Sequence, residues 1–342
     1  MKIIIDAMGG DNAPDEIVKG ALDASRELGV DIVLCGRGED VLRSIERMGL
    51  SDIPQGIEIV NATEVIGMED DPSNAVRVKK DSSLAVALNL LRDGRGDALV
   101  SAGNTGAILS GATLIVKRVR GIRRAALALL LPSPTGGFVL IDTGANTECT
   151  SEYLLQFAFM GSYYAQHVLK LKSPRVGLLN NGAEPTKGMQ LQLDTYKLLE
   201  EACAESYINF VGNIEARDVM NGVCDVLVCD GFTGNIFLKS LEGTASFIMT
   251  ELKKIYKKSL ITKLSAILIK KHVYSLREKM NSDTIGGTIM LGISKPVIKA
   301  HGSSKAIAIT NAIRQAVDAV LADTASQLQE NISRMKINTS NA

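Results

Sequence analysis

Five times along the chain a short apolar run opens into a cluster of Gly, Asn, Thr and Asp and then into a helical period, and this unit leaves few folds open. It is the sequence form of strand, loop and helix in a parallel sheet covered by helices. Residues 3–5 lead into Asp6-Ala7-Met8-Gly9-Gly10-Asp11, residues 98–100 into Ser101-Ala102-Gly103-Asn104-Thr105-Gly106, and residues 138–141 into Asp142-Thr143-Gly144-Ala145-Asn146. Residues 176–179 open into Asn180-Asn181-Gly182-Ala183-Glu184-Pro185-Thr186-Lys187-Gly188, and residues 226–229 into Asp230-Gly231-Phe232-Thr233-Gly234-Asn235. Shorter strands are expected at 32–35, 57–60 and 208–211. With no linker or internal repeat to divide it, the pattern predicts one wound, mostly parallel α/β catalytic unit over residues 1–325 and a polar C-terminal tail over 326–342. In such sheets the loops gather at the carboxyl ends of the strands, where helix N-termini offer free N–H groups to an anion. All five loops are therefore expected along one sheet edge.

Composition narrows the function. Lys plus Arg equals Asp plus Glu at 38 each, and there is no Trp, so neither a steering field nor a broad stacking platform for nucleic acid is present. Five cysteines, odd in number and without a Cys-x-x-Cys pair, read as reduced cytosolic thiols and not as a disulfide frame or zinc site. The N-terminus offers a single Lys and three Ile before Asp6, which is not a signal peptide, and the long uncharged run 98–116 carries too many Gly, Ser, Thr and Asn residues for a membrane span. A cytoplasmic protein is expected.

Familiar phosphate-loop patterns fail. Gly36-Arg37-Gly38-Glu39-Asp40-Val41 lacks the third glycine of the dinucleotide fingerprint, and residues 182–188 miss the spacing of a nucleotide-binding loop. There is no Gly-x-Ser-x-Gly elbow and no His-Glu-x-x-His. No cofactor or metal is called for. What remains is a pocket of amides, hydroxyls and backbone N–H groups with Lys187 as a cation, chemistry that suits a small oxyanion such as phosphate. The candidate binding residues are Gly103, Asn104, Thr105, Gly106, Asp142, Gly144, Asn146, Glu184, Asp230, Gly231, Thr233, Gly234, His301 and Ser303. Turn and capping chemistry accounts for several of these without a ligand, above all Asp142, as it does for Asp6 at the end of the first strand. Cys149 reads either as a small apolar filler or as an acyl-accepting nucleophile. The basic run Lys117, Arg118, Arg120, Arg123 and Arg124 is either a solvated face or a dock for an acidic protein.

Residues 252–279 differ from the rest, with Tyr256, Leu260, Leu264 and Leu268 at four-residue spacing and Lys253 and Lys257 among the lysines opposite. Between 251 and 280 nine basic residues face two acidic ones. The pattern predicts a basic amphipathic helix or helical hairpin, which can pack on protein or lie on an anionic membrane.

Together, the motifs at 6–11, 101–106, 144–146 and 230–235, with Lys79-Lys80-Asp81-Ser82-Ser83 and Ile298-Lys299-Ala300-His301-Gly302-Ser303-Ser304, resemble those of the acyl-acyl-carrier-protein:phosphate acyltransferases of bacterial phospholipid synthesis, over residues 1–320. The resemblance implies a homodimer with a fold similar to phosphate acetyltransferases and isocitrate/isopropylmalate-type dehydrogenases. It implies that inorganic phosphate attacks the thioester of a long-chain acyl group on acyl carrier protein, with Lys187 and Asn235 at the site and 252–279 as a protrusion that contacts the membrane peripherally. Two departures stand out: Asn12 where the family commonly has His, and Met189-Gln190 where it has Asn-Glu. The alternatives are a short-chain acyl-CoA phosphate acyltransferase and a non-catalytic peripheral membrane scaffold.

Overall fold

The computed structural model describes residues 1–280 and 286–335, with the side chains of 274–280 left aside. The chain opens with β1 (Lys2–Asp6), α1 (Asp15–Leu28), β2 (Asp31–Gly36), α2 (Gly38–Arg47) and β3 (Ile57–Asn61). Next come α3 (Ala75–Val78), α4 (Ser83–Arg92), β4 (Ala98–Ser101) and α5 (Thr105–Gly111), which runs into a π turn at Ala112–Val116. The second half begins with β5 (Ala126–Leu131), β6 (Phe138–Ile141), α6 (Ser151–Val168), β7 (Arg175–Asn180), α7 (Gln190–Ala204), β8 (Asn209–Glu215) and β9 (Val226–Val228). It continues through α8 (Gly231–Lys257) and α9 (Leu260–Met280) to β10 (Thr288–Leu291), β11 (Val297–Lys299), α10 (Ala306–Ala322) and α11 (Thr324–Glu330).

The strands form one sheet in the order β3-β2-β1-β4-β11-β10-β5-β6-β9-β7-β8. Its two flanks are parallel, but β10 runs antiparallel to both β11 and β5, and β5 runs antiparallel to β6. Three reversals leave the β6-β9-β7-β8 flank pointing opposite to the β3-β2-β1-β4-β11 flank. The expectation of five loops along one edge is therefore corrected: the loops after β1 and β4 lie at one edge, and those after β6, β7 and β9 at the other. The sequence pattern missed β5, β10 and β11, the strands that cause the reversal. Residues 126–131 are a run of Ala and Leu that suits a buried helix as well as a strand, and β10 and β11 are too short for periodicity to register.

Alternation along the strands sends side chains to two unlike faces. Ile3, Ile5, Ala126, Ala128, Val139, Ile141 and Ile298 enter one continuous core beneath α1, α6, α7 and α10 that spans both flanks. On the opposite face the core is broken in two. Leu127, Leu99 and Val297 join a cluster under α4 and α5, whereas Leu129, Leu140 and Leu227 join a separate cluster under α8. Between them the central strands are uncovered.

Helix ends follow local chemistry. Ser82 and Asn104 accept bonds from the backbone N–H groups of Ala85 and Ala107 and so cap α4 and α5, and α1 stops at Gly29 in the left-handed conformation. The expected polar tail is also corrected through residue 335. Helix α11 and the 3₁₀ turn Ile332–Met335 follow α10, and Leu328 and Met335 are buried against the continuous core. Residues 336–342 lie outside the described residues. The stretch 252–279 forms the end of α8, from residue 252 to Lys257, and nearly all of α9, two helices joined at Lys258 and Ser259, so the hairpin alternative holds.

Candidate functional site

A cleft of about 260 Å³ occupies the gap between the two half-cores. Its floor is the uncovered face of the central strands: Leu127 and Leu129 from β5, Thr288 from β10 and Lys299 from β11. Thr105, at the start of α5, and His301 and Ser304, after β11, lean in from one edge. Thr143 and Gly144, after β6, and Asn235, Leu238, Lys239 and Glu242, on α8, close it from the other. Opposed flanks thus bring both loop sets to one place across the sheet face.

Of the residues singled out from the sequence, Thr105, Gly144, Asn235 and His301 line this cleft. Most of the others, Lys187 and Glu184 excepted, build its walls. Asp142 is fully buried, and its carboxylate accepts from the N–H groups of Leu127, Gly144, Ala145 and Asn146 at 2.7–3.1 Å and from the Asn146 amide at 2.9 Å. Burial pushes this carboxyl above the ordinary range, against the pull of those donors. Asn146 bonds onward to the Ala125 carbonyl, and its own carbonyl accepts the Gly231 N–H. Asp230 caps α8 through the N–H and hydroxyl of Thr233. Gly231 and Gly234 have no room for a side chain, because a Cβ would meet the backbone of Asn146 and of Asp142 respectively. The first turn of α8 is thereby keyed into loop 142–146, and this aims Asn235.

The other wall is built likewise. Gly103 donates to Ser101, whose hydroxyl donates to the buried Asp6 carboxylate at 2.6 Å, and Gly106 sits against Pro72. Asn104 bonds the Met68 carbonyl as well as capping α5, so it supports Thr105 without lining the cleft. Asn12 donates to the carbonyls of Ser303 and Ser304, a bond that holds the 301–304 loop. Ser303 does not line the cleft; its N–H donates to His301 Nδ1 at 3.3 Å, which makes Nδ1 the acceptor and leaves Nε2 as the N–H of the neutral ring.

Lys187 and Glu184 are not brought to the cleft. They occupy the exposed loop after β7, linked by the Lys187 N–H to the Glu184 carbonyl, with no ion pair between their side chains. Sequence reasoning missed Lys299 and Lys239, the cations that do line the cleft. Lys299 stood inside a quoted motif, but only the strand register reveals that its side chain points away from the continuous core. Cys149 does not line the cleft, and burial with the charges of Asp142 and Asp230 pushes its thiol up to about 12, which favours the apolar-filler reading over the nucleophile. In the basic run, Arg123 pairs with Glu152 at 3.1 Å and Arg124 lies over the Tyr153 ring, so both are engaged by α6.

Comparison with known proteins places this architecture. A family model described as fatty acid synthesis protein matches residues 1–327. The phosphate acyltransferase of Thermoanaerobacterium thermosaccharolyticum is 46% identical over 332 residues, 97% of each chain. That of Lactococcus lactis is 44% identical over 338 residues, 98% of this chain and 99% of the relative. Among solved structures, a phosphotransacetylase from Streptococcus pyogenes has a TM-score of 0.63 at 17% identity, covering 96% of this chain and 94% of that one. A 4-hydroxythreonine-4-phosphate dehydrogenase from Klebsiella pneumoniae has a TM-score of 0.52 at 12% identity, covering 95% of this chain and 98% of that one. The fold expected from the resemblance is the one observed, and the chain belongs to the fatty acid synthesis protein family, in which these curated relatives are acyltransferases bearing the name phosphate acyltransferase.

Proposed function

We propose that the chain forms acyl phosphate from inorganic phosphate and a long-chain acyl thioester of acyl carrier protein, in the supply of phospholipid synthesis. The observation that carries this reading is the make-up of the cleft: an amide, several hydroxyls, an imidazole N–H and a lysine around an apolar floor of leucines. Phosphate is already a nucleophile and needs positioning more than deprotonation. One of its oxygens forms a bond to the thioester carbon, the carbon–sulfur bond breaks, and the electron pair leaves with sulfur, which takes a proton from water. Between those events the carbonyl oxygen carries negative charge. Asn235, whose amide makes no hydrogen bond among the described residues and lies against Gly144, is placed to donate to it. His301 is a second donor. Lys187, which the resemblance puts at the chemistry, stands on the exposed loop after β7, outside the cleft lining.

The test is release of free thiol from palmitoyl carrier protein, with and without phosphate, beside the same assay on acetyl-CoA. Phosphate-dependent cleavage of the first is expected. Preference for acetyl-CoA would assign the short-chain reaction, and phosphate-independent silence on both would leave the scaffold reading.

The hairpin supports contact with an anionic membrane surface. Leu260, Ile261, Leu264, Ile267 and Leu268 of α9 are each between 64% and 82% exposed at three- and four-residue spacing, and Lys253, Lys254, Lys257, Lys258 and Lys263 are exposed beside them. No helix of the described residues is long and apolar enough to cross a membrane. A basic helix with an exposed apolar stripe lies in the interface instead. Replacing Leu260, Leu264 and Leu268 by Ser is expected to lower flotation with phosphatidylglycerol vesicles at least tenfold while thiol release in solution stays within about twofold, since each buried leucine is worth about 2 kcal/mol. Unchanged flotation would reject the membrane role. The exposed Phe232, Ile236, Phe247 and Ile248 of α8 offer a face for a second copy, and sedimentation velocity that reads a single chain would reject the homodimer.

A further inference from the structure

We propose that Lys299, seconded by Lys239, is the cation that holds the substrate phosphate in the cleft; this deepens the phosphate acyltransferase reading and rests on it. Lys299 is the last residue of β11, in register with Ser101 of β4 and Thr288 of β10. Ile298 before it enters the continuous core, so alternation sends Val297 and Lys299 to the other face, and Lys299 lands in the gap between the half-cores.

The charges around it leave an opening for an anion. Lys299 makes no ion pair among the described residues, and the acidic neighbour in the cleft, Glu242, is taken by Lys239 at 2.8 Å. Desolvation and the like charge of Lys239 pull the Lys299 ammonium below the ordinary lysine range, with Glu242 opposing. A partly buried cation without a counter-ion is costly, and an anion beside it relieves that cost. The surroundings favour an oxyanion: the residues Thr105, Thr288 and Ser304 carry hydroxyls, and His301 offers its Nε2 N–H. An ammonium suits phosphate as a point charge with three donors. Lys187 likewise makes no ion pair among the described residues, but it is exposed and off the cleft, with none of these hydroxyls gathered about it there.

Two readouts separate this proposal from the activity it deepens. Binding of inorganic phosphate is measured by calorimetry on the full chain and on Lys299→Met, Lys299→Arg and Lys187→Ala, and the phosphate KM is followed against pH. Charge-assisted hydrogen bonds of this kind are worth enough for Lys299→Met to weaken phosphate binding about tenfold or more, with the acyl-thioester KM within about twofold. Lys299→Arg should restore most of the affinity, and Lys187→Ala should leave binding unchanged. The groups facing Lys299 are Lys239, Glu242 and His301. Because the charged ammonium binds phosphate and its proton is held less firmly than in free lysine, wild-type phosphate KM should rise at alkaline pH, and the arginine variant should lack that rise. Equal phosphate affinity in the wild type and Lys299→Met overturns the assignment, as does a wild type that binds no phosphate. Binding that needs Lys299, in a protein that cleaves no thioester, upholds this assignment and overturns the acyltransferase reading alone.

Discussion

Asn235→Ala should lower kcat for phosphate-dependent thioester cleavage by on the order of a hundredfold to a thousandfold, with an unaltered circular dichroism spectrum and a small change in phosphate KM. The magnitude is that of removing one fixed donor from an oxyanion site. The asymmetry between kcat and KM follows from when the bond forms: the carbonyl oxygen gains its charge only as phosphate attacks, so the amide is stronger in the transition state than in the ground state. Fold retention follows from exposure. Asn235 sits one turn into α8, its side chain contacts Gly144 and makes no hydrogen bond among the described residues, and alanine is at home in a helix. Asn235→Asp tests the sign of the field. It keeps shape while placing an anion where one develops, so it should fall below the alanine variant. An Asn235→Ala enzyme within threefold of wild type would remove this residue from the mechanism.

The sequence made the flanks legible and hid the centre. Runs such as 226–229, continuous in apolar residues and ending in a Gly-Asn-Asp loop, can be little else than buried parallel strands, and β9 pairs in parallel on both sides, with β6 and with β7. Strands β10 and β11 carry seven residues between them, so neither a period nor a turn cluster marks them, yet they set the relative direction of everything on either side. Of the five loops expected along one edge, those after β4 and β6, with the start of α8 after β9, instead meet over a sheet face. The same oversight hid Lys299, because a charged residue closing a three-residue strand gives no sign of which face it takes until Thr288 and Ser101 are seen beside it. Lys187 was the visible cation because it stood in a rich loop. That loop follows β7, which is separated from β6 by β9, too far along the edge for its exposed side chain to line the cleft. Asp142, Asn146, Asp230 and Asn104 spend polar atoms on backbone groups and on each other, the turn and capping chemistry that the sequence also offers for them.

That division of labour makes Asp142 the residue whose loss the fold should feel most. Asp142→Ala removes the acceptor for four backbone N–H groups and one side-chain amide. Some of these donors can turn to water, since Gly144 is exposed, but the N–H of Leu127 lies within the sheet. Counting two to three stranded donors at about 1–3 kcal/mol each, the variant should lose roughly 4 kcal/mol, a large share of the 5–15 kcal/mol that holds a typical domain together. Urea unfolding should show this as a lower midpoint, and activity should fall with it, because loop 142–146 is what α8 docks on through Gly231 and Gly234. Asp142→Asn separates the two effects. Its amide oxygen can still accept from Leu127, Gly144 and Ala145 on the Oδ1 side, while its NH2 group now faces the N–H of Asn146, which bonds Oδ2 in the wild type. Asn should therefore recover about half of the lost stability but little of the activity, because the segment it leaves unbonded is the one whose carbonyl anchors Gly231. Full activity in a stably folded Asp142→Ala chain would mean that the docking of α8 does not position Asn235.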